Sequence, residues 1–251
     1  MIKKSLYCLI FYFCLSSLIY SGVSVTPIRQ EAVLSRGQVA RGFFKLQTQG
    51  EFKKIKVTAR SWFTLEENKE IPPAQWLAFD NDEFNFEDNK DNIVMWYTVK
   101  VPTNAVGELM AMISFTAATK QESILTQVYS VPLYIFIKGT EIFDGSVTDV
   151  LIKLKKDETE CQITSENNGN VHFRPYGKCS FYKNKNEHFE IELKKGWPVY
   201  PGKSRMFLGR GAKLSNGKWK VYVEMYYKEH ELLYKKKHKV YVKNNKIVKF
   251  K

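Results

Sequence analysis

IVMWYTVKV, residues Ile93–Val101, decides the fold. Ile93, Met95, Tyr97, Val99 and Val101 recur at every second position. A period of two puts such residues on one face of an extended strand, whereas a helix would repeat them at three or four. The same alternation appears on both sides of this stretch. Ile55, Val57 and Ala59 alternate in KIKVTAR, Leu109, Ala111, Ile113 and Phe115 in ELMAMISFT, and Tyr129, Val131, Leu133, Ile135 and Ile137 in YSVPLYIFIK. Turn-forming clusters at Asp88–Asn92 and Pro102–Gly107 separate them. After Lys138-Gly139-Thr140 the pattern restarts with Ile152 and Leu154, then Phe189, Ile191 and Leu193. Trp219, Val221, Val223, Met225 and Tyr227 follow, and Val240 and Val242 close the chain. Each half holds about seven short strands at the spacing of a sandwich. The expectation is an all-β protein of two tandem immunoglobulin-like β-sandwiches, residues 23–139 and 140–251. A single large barrel is the alternative.

The first 22 residues, MIKKSLYCLIFYFCLSSLIYSG, have a basic start, an apolar run from Leu6 to Tyr20 and small residues at the end. That is the layout of a signal peptide, and the run is shorter than the roughly 20 apolar residues of a spanning helix. The chain is expected to be exported to the periplasm or another extracytoplasmic space, meeting a membrane only through this segment. An uncleaved anchor is the alternative. In an oxidising compartment Cys161 and Cys179 are expected to form a disulfide, with two buried free thiols as the other reading.

The chain carries a net charge of +13, unevenly spread. Residues 23–138 hold 13 Lys/Arg and 13 Asp/Glu, whereas residues 139–251 hold 24 and 13, a balance of +11. This asymmetry points to different partners for the two halves, or to an anionic surface facing the second. Lys interleaves with Tyr, Val and Ile from His230 to Lys251, as on nucleic-acid surfaces, but export argues against nucleic acid. Anionic envelope polymer or lipid headgroups remain.

His172, His188, His230 and His238 stand at no metal or triad spacing, and no nucleophile, zincin or phosphate-cradling motif is present. The reading is of a protein with no catalytic site, no cofactor and no metal. The acidic run Asp80–Asn92 lacks calcium-loop spacing and, with Phe84 and Phe86 alternating, reads as a solvated edge. Asn168-Gly169, between ETECQITS and NVHFRP, carries the strongest short hairpin signal. That register would set Ser165 opposite His172 and Ile163 opposite Arg174, making His172 and Arg174 a hairpin surface pair and placing Cys179 beyond the regular ladder. Pro132 inside YSVPLYIFIK belongs at a sheet edge or bulge. The long strand around it would either add to a partner's sheet or be a capped edge.

VSVTPIRQEAVLSRG, the stretch WLAFDNDEFNFEDNKDNIVMWYTVKVP and the closing strand PLYIFIKGT resemble the first domain of the PapD-like periplasmic pilus-assembly chaperones. ENNGNVHFRPYGKC and PVYPGKSRMF resemble second-domain segments of related envelope proteins. The resemblance covers nearly the whole chain beyond residue 22. It implies a non-catalytic chaperone that binds pilus or surface-protein subunits by edge-strand donation. In that family an Arg of the first strand and a Lys of the last strand of domain one hold the subunit's terminal carboxylate. Arg29 matches the Arg. The Lys position holds Tyr134 or a neighbour, and Lys138 is the nearest Lys. The departure counts against carboxylate anchoring, while strand donation needs only the apolar alternation. Val131, Leu133, Ile135 and Ile137 would fill the subunit's groove. A structural or adhesive envelope module, binding anionic polymer through its basic second domain, is the alternative function.

Overall fold

A computed structural model describes residues 22–49, 52–86, 92–119, 126–194, 196–228 and 230–251. The expected signal segment thus falls almost wholly outside the described residues. The chain forms two compact units. The first comprises the chain up to Ala105, apart from Leu65–Glu67, together with Met110–Ile135. The second comprises Leu65–Glu67, Val106–Leu109 and Phe136–Lys251.

The first unit is a sandwich of two antiparallel sheets. Its strands are β1 (Gly22–Thr26), β2 (Gln30–Leu34), β3 (Val39–Gln49), β4 (Phe52–Ser61), β5 (Leu77–Phe79), β6 (Glu83–Asn85), β7 (Asn92–Lys100), β8 (Glu108–Thr119) and β9 (Thr126–Ile137). One sheet has the order β1-β3-β7-β5, the other β2-β9-β8-β4-β6. The alternation in Ile93–Val101 does what the pattern requires. Met95, Tyr97 and Val99 are buried, while Val94 and Trp96 are exposed. Phe44 of β3 meets Phe115 of β8 edge to face at 5.3 Å, which ties one sheet to the other.

Two ties reach from β2 to the opposite sheet. Gln30 Nε2 donates to the Phe43 carbonyl at 2.6 Å, and the Tyr97 hydroxyl donates to Gln30 Oε1 at 2.7 Å. The Tyr97 ring lies directly over Gly42, its cross-strand partner, where an added Cβ would stand 2.2 Å from the hydroxyl oxygen. Only glycine leaves that space. In the described part of the acidic run, Asp80 pairs with Arg41 and Glu83 with Lys54, the latter at 2.9 Å. Phe86 is buried behind β6.

The second unit is a sandwich of β10 (Gly145–Leu154), β11 (Glu158–Asn167), β12 (Tyr176–Tyr182), β13 (His188–Leu193), β14 (Ser204–Ala212), β15 (Gly217–Tyr227), β16 (Glu231–Lys243) and β17 (Lys246–Phe250). Its sheets run β10-β11-β14 and β13-β12-β15-β16-β17. The Cys161–Cys179 disulfide joins β11 to β12 across the core and closes a sequence separation of 18. Phe181, Ile191, Trp219, Val221, Val223 and Met225 pack around it.

The Asn168-Gly169 hairpin does not form. β11 pairs with β10 and β14, whereas β12 lies in the other sheet. Asn168-Gly169 instead begins the crossing from one sheet to the other. Asn168 N and Gly169 N donate to the Asp144 carbonyl at 3.0 and 3.1 Å. A Cβ at residue 169 would fall 2.1 Å from the Ile142 carbonyl oxygen, so the glycine serves close backbone approach, not a turn. The buried Asn167 amide donates to the carbonyls of Val171 and Val199 at 2.8 Å each. Long-range bonding on both sides of the dipeptide therefore outweighs its local turn preference.

Candidate functional site

β9 is twelve residues long and lies between β2 and β8. It is thus not a free edge over its whole length. β2 contributes only five residues, so among the described residues much of that margin of β9 has no strand beside it.

Burial divides β9 in two. From Thr126 to Ser130 the residues are exposed or half-buried, and Val128 is 58% exposed. From Val131 the strand sinks: Val131, Leu133, Tyr134, Ile135 and Ile137 are all buried at 4% exposure or less. Three successive buried residues, Leu133 to Ile135, mean that both faces of the strand are covered there. Val131, Leu133, Ile135 and Ile137, expected to fill a subunit's groove, all lie on this buried stretch. Their side chains already fill the chain's own core, and withdrawing each would cost roughly 1.5–3 kcal/mol. Tyr134 is likewise interior. Ser130 keeps the open half in register with β8, its hydroxyl lying 3.1 Å from that of Ser114. Gln127 Oε1 is buried with no hydrogen-bond partner among the described residues. An orphaned acceptor of this kind is uncommon in a folded protein.

Arg29 precedes β2 and is exposed, with Nε 2.9 Å from Glu31 Oε1. Its charge is shared with that neighbour. Lys138 is exposed just after β9. Arg29 belongs to the first unit and Lys138 to the second.

His172, read from the sequence as a surface residue, is 3% exposed. It pairs with Glu108, which belongs to the same unit. The backbone N–H of His172 donates to Glu108 Oε2 at 2.8 Å, and Nδ1 lies 2.7 Å from Oε1. The imidazole stacks on Phe136 at 5.4 Å. Glu108 stands 64 residues away in sequence, and no local signal announces it. The pair has the groups of an acid–base site but is enclosed, with side-chain exposures of 2% and 0%. It holds the backbone through the His172 N–H bond to Glu108 Oε2. Arg174 donates to the Gly196 carbonyl at 2.8 Å. Among the described residues no group of three or more His, Cys, Asp or Glu side chains is placed to hold a metal ion.

No family model matches the chain, and no curated protein does. Solved structures similar to it include chaperones. The YadV chaperone has 8% identity and a TM-score of 0.44, over 87% of this chain and 99% of that one. The class 5 fimbriae chaperone CfaA has 16% identity and a TM-score of 0.45, over 86% and 97%. The CsuC–CsuE chaperone–tip subunit pre-assembly complex of Acinetobacter baumannii has 11% identity and a TM-score of 0.43, over 87% and 97%.

Proposed function

We propose that this chain is an exported, non-catalytic chaperone that holds a secreted, pilus-like subunit by adding the open half of β9 to that subunit's incomplete sheet. The observation that carries the reading is the change of burial along β9. The strand is anchored in its own core from Val131 onward and stands open from Thr126 to Ser130. A rigid extended segment that is exposed beside a short neighbouring strand is the element that strand addition needs. Val128 presents an apolar side chain there. The resemblance of VSVTPIRQEAVLSRG and PLYIFIKGT to the pilus chaperones supports the same reading. Val131, Leu133, Ile135 and Ile137 act as the buttress of the donor segment, and Arg29 of the first unit and Lys138 of the second are each a separate candidate contact for the subunit. An anionic envelope polymer as a second partner is favoured by the +11 balance of residues 139–251.

The test places a photo-crosslinker at Val128 and, as a control, at Lys100 on β7, in the native host. Capture of one secreted protein from position 128 and not from 100 is expected. Val128→Asp should abolish capture without lowering the melting temperature, because the side chain is exposed. Capture unchanged in Val128→Asp would sink the proposal.

A further inference from the structure

The positive charge of the second unit is concentrated in its last three strands. Residues 217–251 contain eleven Lys against three acidic residues. Period-two alternation sorts them. Trp219, Val221 and Val223 of β15 and Val240 and Val242 of β16 are buried. Lys218, Lys220 and Tyr222, with Lys237, Lys239 and Tyr241, take the opposite face. The register brings them into rows. Lys220 stands opposite both Lys239 and Tyr182, Tyr222 opposite both Lys237 and Ser180, and Lys218 opposite Tyr241. Lys237 Nζ lies 5.6 Å from the Tyr222 ring centre, and Lys218 and Lys249 lie 5.9 and 6.0 Å from that of Tyr241. A shallow hollow of about 560 Å³ opens beside them.

The carboxylates of this face are already satisfied. Glu190 accepts from Lys178 Nζ at 2.9 Å and from Ser180 Oγ at 2.7 Å. Glu224 pairs with Lys235 at 2.7 Å. Lys220, Lys237 and Lys239 have no carboxylate partner among the described residues. Lys220 directly opposite Lys239 is a like-charge pair, which disfavours the sheet. A sheet selected only for folding would gain by a Glu or Thr at either position. The arrangement asks for an anion from outside.

We infer that this face, centred on Lys220, Lys239, Lys237 and Tyr222, binds an acidic polysaccharide. The ring faces of Tyr222 and Tyr241 are covered by ammonium groups, and Tyr182 meets Tyr222 at 81°. They are therefore not open platforms for stacked bases. No outward residue from Lys218 to Glu224, or from Lys235 to Lys243, is aliphatic, so nothing there enters a lipid layer. What the face offers is phenolic hydroxyls and ammonium groups in rows, the complement of a chain of hydroxyls and carboxylates. The inference rests on the reading of the basic unit as a polymer-binding surface and assigns the residues.

The full chain without residues 1–21 is titrated with polygalacturonate at 50 mM salt. Neutral dextran, phosphatidylglycerol vesicles and a thymidine oligonucleotide are run alongside. Polygalacturonate should bind best and weaken as salt rises. The Lys220→Gln/Lys239→Gln chain should lose about tenfold in affinity. Lys153→Gln/Lys156→Gln, the same charge change on β10 and the turn after it, should lose little. Equal losses in the two double variants would overturn the site while leaving a generally basic unit. No polygalacturonate binding would overturn both. Tighter binding of vesicles or oligonucleotide would overturn the polysaccharide assignment. The Val128→Asp chain should bind polygalacturonate like the wild type, which keeps this test separate from that of β9.

Discussion

Gly42→Ala is the sharpest test of the packing in the first unit. The new Cβ would stand 2.2 Å from the Tyr97 hydroxyl oxygen, 2.3 Å from Cζ and 2.8 Å from Cε1. Ordinary contact is about 3.5–4.0 Å, so the whole ring must lift by more than an ångström. Overpacking of this kind costs about 1–3 kcal/mol. Lifting the ring also breaks the 2.7 Å bond from Tyr97 to Gln30, worth roughly another 0.5–1.5 kcal/mol. The expected loss is about 2–4 kcal/mol. Burial pushes the Tyr97 phenol up to about 12, so this bond is intact throughout the neutral range. The assay is native-state hydrogen exchange read by mass spectrometry, which resolves the two units where a single unfolding curve would blend them. Amides of β3 and β7 should lose protection and those of the second unit should not. The decisive control is the Tyr97→Ala background. With the ring gone, Gly42→Ala should become neutral or stabilising by about 0.5–1 kcal/mol, because alanine suits a strand better than glycine. A similar loss in both backgrounds would show that Gly42 is not there for the ring. Because Gln30 opens β2, the same substitution should also loosen the short strand that covers β9.

Two further outcomes concern the second unit. Cys161→Ala/Cys179→Ala should lower its stability by about 3 kcal/mol, the chain-entropy value for a loop near this separation of 18, measured as the change in hydrogen exchange of β11 and β12. His238 is buried and stacked on Phe250 at 5.0 Å, and burial, with Lys236 nearby, lowers its pKa. Its neutral form is the one the fold accepts. Stability should therefore decline as pH falls below the ordinary value of 6.5, where the unfolded chain takes up a proton that the folded chain resists. The further decline below 4.5 belongs to Glu187, Glu190 and Glu224, whose carboxyl pKa values are lowered chiefly by hydrogen bonds from Ser215, Lys178 and Lys235. Urea midpoints from pH 8 to 5 should run parallel for wild type and His238→Phe only if the His238 account is mistaken.

The strands were legible wherever one face is buried and the other is not. Met95, Tyr97 and Val99, or Val221 and Val223, read directly as core because alternation is the imprint of one-sided burial. β9 was read less well for the same reason. Its second half, Leu133 to Ile137, is an unbroken apolar run, the mark of a strand covered on both faces, and taking every second residue hid the cover on the other. The part that stands open begins three residues before the stretch that drew attention, at Thr126, where polar residues dilute the pattern. Asn168-Gly169 misled because dipeptide preference is local and amounts to little against the buried amide of Asn167 and the close approach of Ile142. His172 could not be placed from sequence, since its partner Glu108 lies in a different stretch altogether.

These cases separate groups that look functional from groups that need a partner. Glu108 and His172 have the chemistry of a site, yet they meet each other in the interior and leave nothing for a substrate. Lys220 and Lys239 look like ordinary surface charge, yet they face each other with no carboxylate between them, and each disfavours the other's presence. Val128 is an unremarked valine, yet it stands exposed on a strand that is buried from Val131 onward. A polar or apolar group satisfied within the fold is explained by the fold. One left unsatisfied at a rigid surface carries a free-energy cost that folding alone does not return. On that criterion the open half of β9 and the lysine rows of β15 and β16 are the proposed places of interaction, and His172 belongs to the framework.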